Sequence, residues 1–105
     1  MTFSDYQYEY KQYDSTAGLD WHYTLGLVGE AGEVAEKIKK KYRLPEYRTE
    51  VDKHDIAKEL GDVLWYLTAL GEFYGVTLED IAALNLDKLR SRKQRGVLGG
   101  TGDNR

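Results

Sequence analysis

Apolar residues recur every three or four positions along most of this chain, which is the spacing of an amphipathic α-helix. With one proline and few runs of β-branched residues, the chain favours helix over strand. The predicted helices cover about residues 4–14, 20–42, 52–74 and 77–95. Gly18, Pro45 and Gly75 mark the joins between them. We therefore predict an all-α bundle of four main helices.

The last predicted helix has a recognisable beginning and a distinct tail after it. Thr77 and Asp80 have the spacing of a capping box, in which each side chain bonds to the other residue's backbone N–H. The ending GVLGGTGDNR is too rich in glycine for regular structure. We expect one domain over residues 1–95 and a C-terminal tail over residues 96–105 that is either flexible or a lid.

The predicted helices carry more apolar surface than so short a chain needs for its own core. The apolar face of the second helix comprises Leu27, Val28, Ala31, Val34, Ala35 and Ile38. The first helix presents Phe3, Tyr6, Tyr10 and Tyr13 along one face. Aromatic residues of this kind are enriched at interfaces between subunits. We therefore expect a homodimer or a homotetramer.

Composition argues against several classes of protein. A net charge of −3 gives no general attraction to nucleic acid or to an acidic membrane. No apolar run approaches the roughly 20 residues that span a bilayer, and the first residues lack the pattern of a secretory signal. The chain has no cysteine, so disulfides and thiolate metal sites are excluded. We expect a cytoplasmic protein with no nucleic-acid or membrane partner.

Two pairs of carboxylates border the apolar faces of the second and third helices. Glu30 and Glu33 lie along one edge of their helix, and Glu59 and Asp62 lie at nearly the same angle on theirs. The two pairs are centred on Glu46, where the chain must turn, so an antiparallel hairpin would bring them to the same level. Four like charges repel one another unless cations neutralise them. Hard oxygen ligands favour Mg²⁺, with Mn²⁺ as a substitute.

Surface ion pairs are the alternative explanation for these acids. The pairs available at a spacing of four residues are Glu33–Lys37, Glu36–Lys40 and Lys58–Asp62. Such pairs stabilise a helix by only about 0.2–0.5 kcal/mol each. The matched positions of the two acidic pairs favour the metal site, whereas Glu36 points away from the apolar face and is expected to be solvated.

The acidic motif resembles that of a known superfamily. The segments E30-A-G-E33 and E59-L-G-D62, separated by residues 34–58, resemble the ExxE–spacer–ExxD signature of the MazG-like, all-α nucleoside triphosphate pyrophosphohydrolases. The flanks GLVGEAGEVAEKIKK and AKELGDVLWYLTAL are also similar to that family. The resemblance implies that a nucleoside triphosphate and water give a monophosphate and pyrophosphate. It also implies that the four acids are Mg²⁺ ligands, that one of them can act as the base, and that subunits associate.

Basic and polar residues of the fourth helix are candidates for holding the phosphate chain. Asn85, Lys88 and Arg92 share one helical face and resemble polar and basic residues of the family's last core helix. The alternative is that the basic charges only complement the dipole at the end of the helix.

Other candidate substrate contacts lie near the acids and at the start of the second helix. Tyr66 and Lys37 each follow an acid by one helical turn and could reach a phosphate or a sugar. Trp21, with His22 and Tyr23 beside it, is a candidate for stacking on a base. Ordinary packing and a solvated lysine are the alternatives at these positions.

Two other functions remain open at this stage. One is a phosphoribosyl-ATP pyrophosphohydrolase-like enzyme, which shares the fold and the metal ligands. The other is a helical module that binds nucleotide or mediates dimerisation without catalysis. A module of that kind has no need of the four acids, so their presence favours the nucleoside triphosphate pyrophosphohydrolase, acting in house-cleaning or control of nucleotide pools.

Overall fold

The structure, a computed structural model, describes residues 1–16, 18–43 and 52–103. The α-helices are α1 (Phe3–Tyr10), α2 (Asp20–Arg43), α3 (Lys53–Phe73) and α4 (Leu78–Gln94), and a 3₁₀ turn (Lys11–Tyr13) follows α1. No strand occurs in these three ranges, so the predicted all-α class with four main helices is confirmed. The turn predicted at Pro45 lies outside the described residues.

Capping residues define where α1 and α4 begin. At α4, Asp80 N donates to Thr77 Oγ1 at 3.0 Å and Thr77 N donates to Asp80 Oδ2 at 3.0 Å. The predicted capping box is therefore confirmed. Thr2 and Asp5 form the same arrangement at the start of α1. Before α4 the chain turns at Gly75, whose φ of 72° a side chain would disfavour.

Helices α2 and α3 form an antiparallel hairpin. Contacts join them along their length, between Asp20 and Tyr74, Gly26 and Tyr66, and Lys37 and Glu59. Each of these pairs is centred between positions 46 and 48, close to the centre predicted from the two acidic pairs. The register of the hairpin is therefore the one that brings the predicted acids to the same level.

An aromatic core packs the end of α1 against the α2–α3 hairpin. Tyr10, Tyr23 and Ala69 are buried, and Trp65 packs against them. Trp65 Nε1 donates to the carbonyl oxygen of Tyr10 at 3.0 Å, and their rings meet edge to face with centroids 5.9 Å apart. The Tyr10 hydroxyl donates to the Glu72 carboxylate. Tyr10 therefore belongs to the core of the chain, whereas its predicted neighbours Phe3 and Tyr13 are exposed.

Much of the apolar surface on the predicted helix faces is exposed in the single chain. On α2, Val28 is 65% exposed and Ile38 is 40% exposed, and Leu84 on α4 is 66% exposed. The radius of gyration is 16.9 Å, against about 13 Å for a compact domain of this length. The single chain thus leaves much of the apolar face of α2 uncovered, in line with the excess of apolar surface expected from the sequence. None of the described helices is long and apolar enough to cross a membrane.

Candidate functional site

Three carboxylates from two helices converge at one place. Glu30 on α2 and Glu59 and Asp62 on α3 each offer an oxygen, and these oxygens lie within 4.8 Å of one another. Glu30 and Glu59 are half-buried, and Asp62 is exposed. The antiparallel register and the position of these residues along one edge of each helix bring the acids together. The structure therefore brings together three of the four predicted ligands.

The negative charge of Glu30 is disfavoured by its surroundings. Burial raises the pKa of Glu30, and the neighbouring Asp62, Glu59 and Glu33 raise it further. A divalent cation would relieve this repulsion, and a set of carboxylate oxygens suits Mg²⁺ or Mn²⁺. Glu33 is exposed and stands outside the converging group, although its charge reaches Glu30. The donor set thus fits a hard divalent cation.

A lysine already compensates part of the negative charge. Lys37 Nζ lies 3.2 Å from Glu59 Oε1, and the two side chains are 34% and 19% exposed. Lys37 therefore pairs across the hairpin rather than along its own helix with Glu33. Glu36 is surrounded by the basic groups of Lys39 and Arg43, at 3.8 and 4.0 Å. That surface ion pairing agrees with the solvated position expected for Glu36.

A cleft of about 290 Å³ opens onto the acidic cluster. Glu30 and Asp62 lie in its lining together with Trp65 and Tyr66. The volume lies just below the range for small-molecule sites, roughly 300–1,000 Å³. Tyr66 therefore lies beside the acids, as predicted, and its ring also packs where a side chain at position 26 would stand.

Part of the cleft is lined by a short loop, Tyr13 to Thr16, that sequence reasoning missed. Asp14 Oδ1 accepts hydrogen bonds from Thr16 N at 2.9 Å and Thr16 Oγ1 at 2.8 Å, and Asp14 Oδ2 accepts one from the Tyr23 hydroxyl at 2.5 Å. Burial alone would raise the pKa of Asp14, but these hydrogen bonds outweigh it and lower the pKa. His22 also lines the cleft. The sequence signal for the loop was the Asp-Ser-Thr run, which is typical of an Asx turn.

The aromatic residues at the start of α2 are separated from one another. Trp21 is 60% exposed and lines a different depression, together with Asp20 and Leu25. Tyr23 is buried in the core, and its hydroxyl is held by the Asp14 loop. Of the three residues considered for base stacking, only His22 lines the acidic cleft.

The basic residues of α4 contact the C-terminal tail. Lys88 Nζ lies 3.0 Å from Asp103 Oδ1, and Arg92 Nη2 lies 3.2 Å from the same oxygen. Arg92 Nη2 also donates to the carbonyl oxygen of Gly102 at 3.2 Å. Asn85 is exposed on the same helix. These α4 residues are not among those that line the cleft around the acids in the described chain.

Known proteins resemble this chain over most of its length. The family model of the MazG nucleotide pyrophosphohydrolase domain matches residues 21–97. Gene 37 protein of Mycobacterium phage L5 is 48% identical over 93 residues, which cover 88% of this chain and 81% of the phage protein. The YvdC protein of Bacillus subtilis (strain 168) is 32% identical over 73 residues, with 63% and 68% of the two chains covered.

A solved structure agrees with these sequence matches. The crystal structure of iMazG from Vibrio DAT 722 superposes with a TM-score of 0.60 at 35% sequence identity, covering 86% of this chain and 97% of that one. The residues 21–97 matched by the family model include Glu30, Glu59 and Asp62. This chain therefore belongs to the MazG nucleotide pyrophosphohydrolase family, as its acidic motif predicted.

Proposed function

We propose that this protein is a Mg²⁺-dependent nucleoside triphosphate pyrophosphohydrolase of the cytoplasm. It would convert a ribo- or deoxyribonucleoside triphosphate and water into the monophosphate and pyrophosphate. The observation that carries the proposal is the convergence of Glu30, Glu59 and Asp62 beside an open cleft in a chain of this family. A triphosphate is itself anionic, so carboxylates at this spacing can bind it only with cations between them.

The acids have the role of ligands in this proposal. Glu30, Glu59 and Asp62 would hold Mg²⁺ or Mn²⁺, and the exposed Glu33 can join them by rotation of its side chain. A bound cation supplies Lewis-acid activation of the phosphate oxygens and of the attacking water. The half-buried position of Glu30 and Glu59 limits the motion of these two carboxylates, which favours a fixed geometry around the reacting phosphate.

Residues around the cleft would orient the substrate. The Tyr66 hydroxyl can donate to a phosphate or a sugar oxygen, because the side chain lies beside Glu30 and Asp62. Lys37 is held at the cluster through Glu59 and can shift to a phosphate oxygen when a cation takes over that carboxylate. Trp21 is retained as a base-stacking residue only in an assembly, because in the single chain it faces a separate depression.

Association of two or more chains would complete the site. Leu25 and Val28 are each 65% exposed on the helix that carries Glu30. A second copy of the chain carries the same exposed apolar helix face, which is equal in length and can cover this one. Asn85, Lys88 and Arg92 lie on α4 and are not among the residues that line the acidic cleft. We propose a homodimer or homotetramer in which α4 of one subunit supplies phosphate-binding groups to the cleft of another.

The test is hydrolysis of a panel of ribo- and deoxyribonucleoside triphosphates in Mg²⁺, with products identified by phosphorus NMR. Monophosphate and pyrophosphate are expected, and diphosphate with orthophosphate would contradict the proposal. Glu30→Gln should reduce kcat by more than about 100-fold, since it removes a ligand of the proposed cation, whose charge would stabilise the transition state. Glu36→Gln is the matched control on the same helix and should retain activity. Nucleotide binding without turnover in the wild type would instead support the non-catalytic module.

A further inference from the structure

The C-terminal tail places a carboxylate on the two basic residues of α4. One oxygen of Asp103 lies 3.0 Å from Lys88 Nζ and 3.2 Å from Arg92 Nη2. The tail folds back to reach them, and Gly96 and Gly102 have φ values of 71° and 83° that a side chain would disfavour. An anionic group of the chain itself thus stands where the proposed function requires a phosphate.

Arg92 is built as part of an anion site that its present partner uses incompletely. Arg92 is only 5% exposed, and both hydrogen bonds of its side chain to described residues leave from Nη2. Its Nε is buried and has no hydrogen-bond partner among the residues that the structure describes. Nε and Nη2 lie on one edge of the guanidinium, the edge that binds a phosphate through two parallel hydrogen bonds. A buried arginine with an unused donor on that edge indicates a ligand larger than the Asp103 oxygen.

The Asp103 carboxylate is a weak and replaceable occupant. Its side chain is 81% exposed, whereas that of Arg92 is 6% exposed. Water and salt screen an ion pair with so exposed a partner, so the pair contributes little to stability. A phosphate or pyrophosphate group carries more charge and more acceptor oxygens than a single carboxylate. A phosphate group is therefore a stronger partner for this basic pair than the carboxylate of Asp103.

We propose that Asp103 competes with phosphate groups for Lys88 and Arg92, so that the tail and a nucleotide or pyrophosphate anion occupy this pair alternately. The inference rests on the proposed phosphate-binding role of the two basic residues. It gives the C-terminal segment 96–103 a function as an internal inhibitor that leaves when the anion binds. The carboxylate also screens the buried guanidinium while no ligand is present.

The test is the affinity of the full chain for inorganic pyrophosphate, measured by calorimetry without divalent cations. Asp103→Asn keeps the shape of the side chain and removes its charge, and it should bind pyrophosphate about two- to fivefold more tightly than the wild type. Asp87→Asn is the matched control, because Asp87 lies on α4 and its one ion pair in the described ranges is with the exposed Arg90 at 3.5 Å. That variant loses the same charge and should bind as the wild type does.

The double variant Lys88→Gln with Asp103→Asn locates the effect. It should lose the gain in affinity, and retention of the gain would place the binding elsewhere and overturn the inference. Equal affinities of Asp103→Asn and Asp87→Asn, or weaker binding by Asp103→Asn, would also overturn it. Because the assay uses pyrophosphate and no turnover, an inactive enzyme with tighter Asp103→Asn binding would refute only the proposed function. An active enzyme without that gain would refute only the tail inference.

Discussion

Replacing Glu30 by a neutral residue tests whether the acidic cluster is a metal site or a set of ordinary surface acids. Glu30→Gln keeps the size of the side chain and removes a charge that lies within 4.8 Å of carboxylate oxygens of Glu59 and Asp62. Two unit charges at that distance repel by about 0.9 kcal/mol in water, and physiological salt roughly halves this. With two neighbours, we expect Glu30→Gln to raise the free energy of unfolding of the metal-free protein by about 1 kcal/mol at pH 7.

The same charge predicts how stability depends on pH. Because burial and its acidic neighbours raise the pKa of Glu30, the folded chain holds this proton more readily than the unfolded chain does. Protonated Glu30 therefore stabilises the folded chain. This stabilisation is fully present below the ordinary pKa of 4.5 and is lost as the pH rises through the raised pKa of the folded state. Glu30→Gln should remove this decline, so its advantage over the wild type should appear only above that range.

The assay is urea unfolding at a fixed protomer concentration, first in chelator and then in Mg²⁺. In 1 M salt the advantage of Glu30→Gln should shrink, because screening then acts over about 3 Å. In Mg²⁺ the order should reverse, since ligand at 100 times its Kd adds about 2.7 kcal/mol to a chain that binds it. Glu36→Gln is the control and should change stability little in either condition. If Glu30→Gln lowered the free energy of unfolding of the metal-free protein by more than about 1 kcal/mol, the reasoning would be refuted and the surface ion-pair explanation would be favoured.

The remaining predictions concern packing and assembly. Gly26→Ala should destabilise the protein by about 1 kcal/mol or more, because the new methyl group would overlap an aromatic ring. In Gly29→Ala the new methyl group meets nothing within 4 Å in the single chain, so the free energy of unfolding should rise by up to about 1 kcal/mol. Thermal unfolding measures both glycine variants. Tyr10→Phe should cost about 1–2 kcal/mol through loss of its bond to Glu72, and a double-mutant cycle with Glu72→Gln should show the coupling. Sedimentation should give a multiple of 12.1 kDa for the wild type, and Val28→Glu should shift it toward the monomer, whereas a fully active wild-type monomer would exclude the shared site.

Local rules made much of the fold predictable. The helical spacing of apolar residues gave the number and type of the helices, and the Thr77 capping box gave the start of α4. The symmetric placement of the acidic pairs gave the register of α2 against α3. Burial was harder to predict, because an apolar face indicates that something covers it but does not identify the partner. Val28 shows this, as it belongs to the predicted apolar face and is exposed in the single chain.

The candidate site was predictable only where helical geometry determines it. Residues three apart on a helix differ by about 60° in direction, so one member of each acidic pair can face the partner helix while the other tilts outward. Glu33 is such an outward member, and the spacing alone could not show which residue it would be. The contact of Asp103 with Lys88 depends on the path of a glycine-rich segment, which sequence periodicity does not describe. The Asp14 loop was missed because the prediction followed helical periodicity, which does not describe local bonds such as that from Thr16 N to Asp14 Oδ1.

The contact between Gly26 and Tyr66 has a consequence for the cation preference of the proposed metal site. Gly26 lies one helical turn from Glu30, and Tyr66 lies one turn from Asp62, so the contact sets the separation of the helices next to the carboxylates. Mg²⁺ requires oxygens at about 2.0–2.1 Å in near-ideal octahedral geometry, whereas Ca²⁺ accepts 2.3–2.6 Å and a looser shell. A larger residue at position 26 would widen the gap and shift preference toward the larger ion. In the proposed metal site, selectivity for ion size would therefore depend on a residue whose side chain supplies no ligand atom.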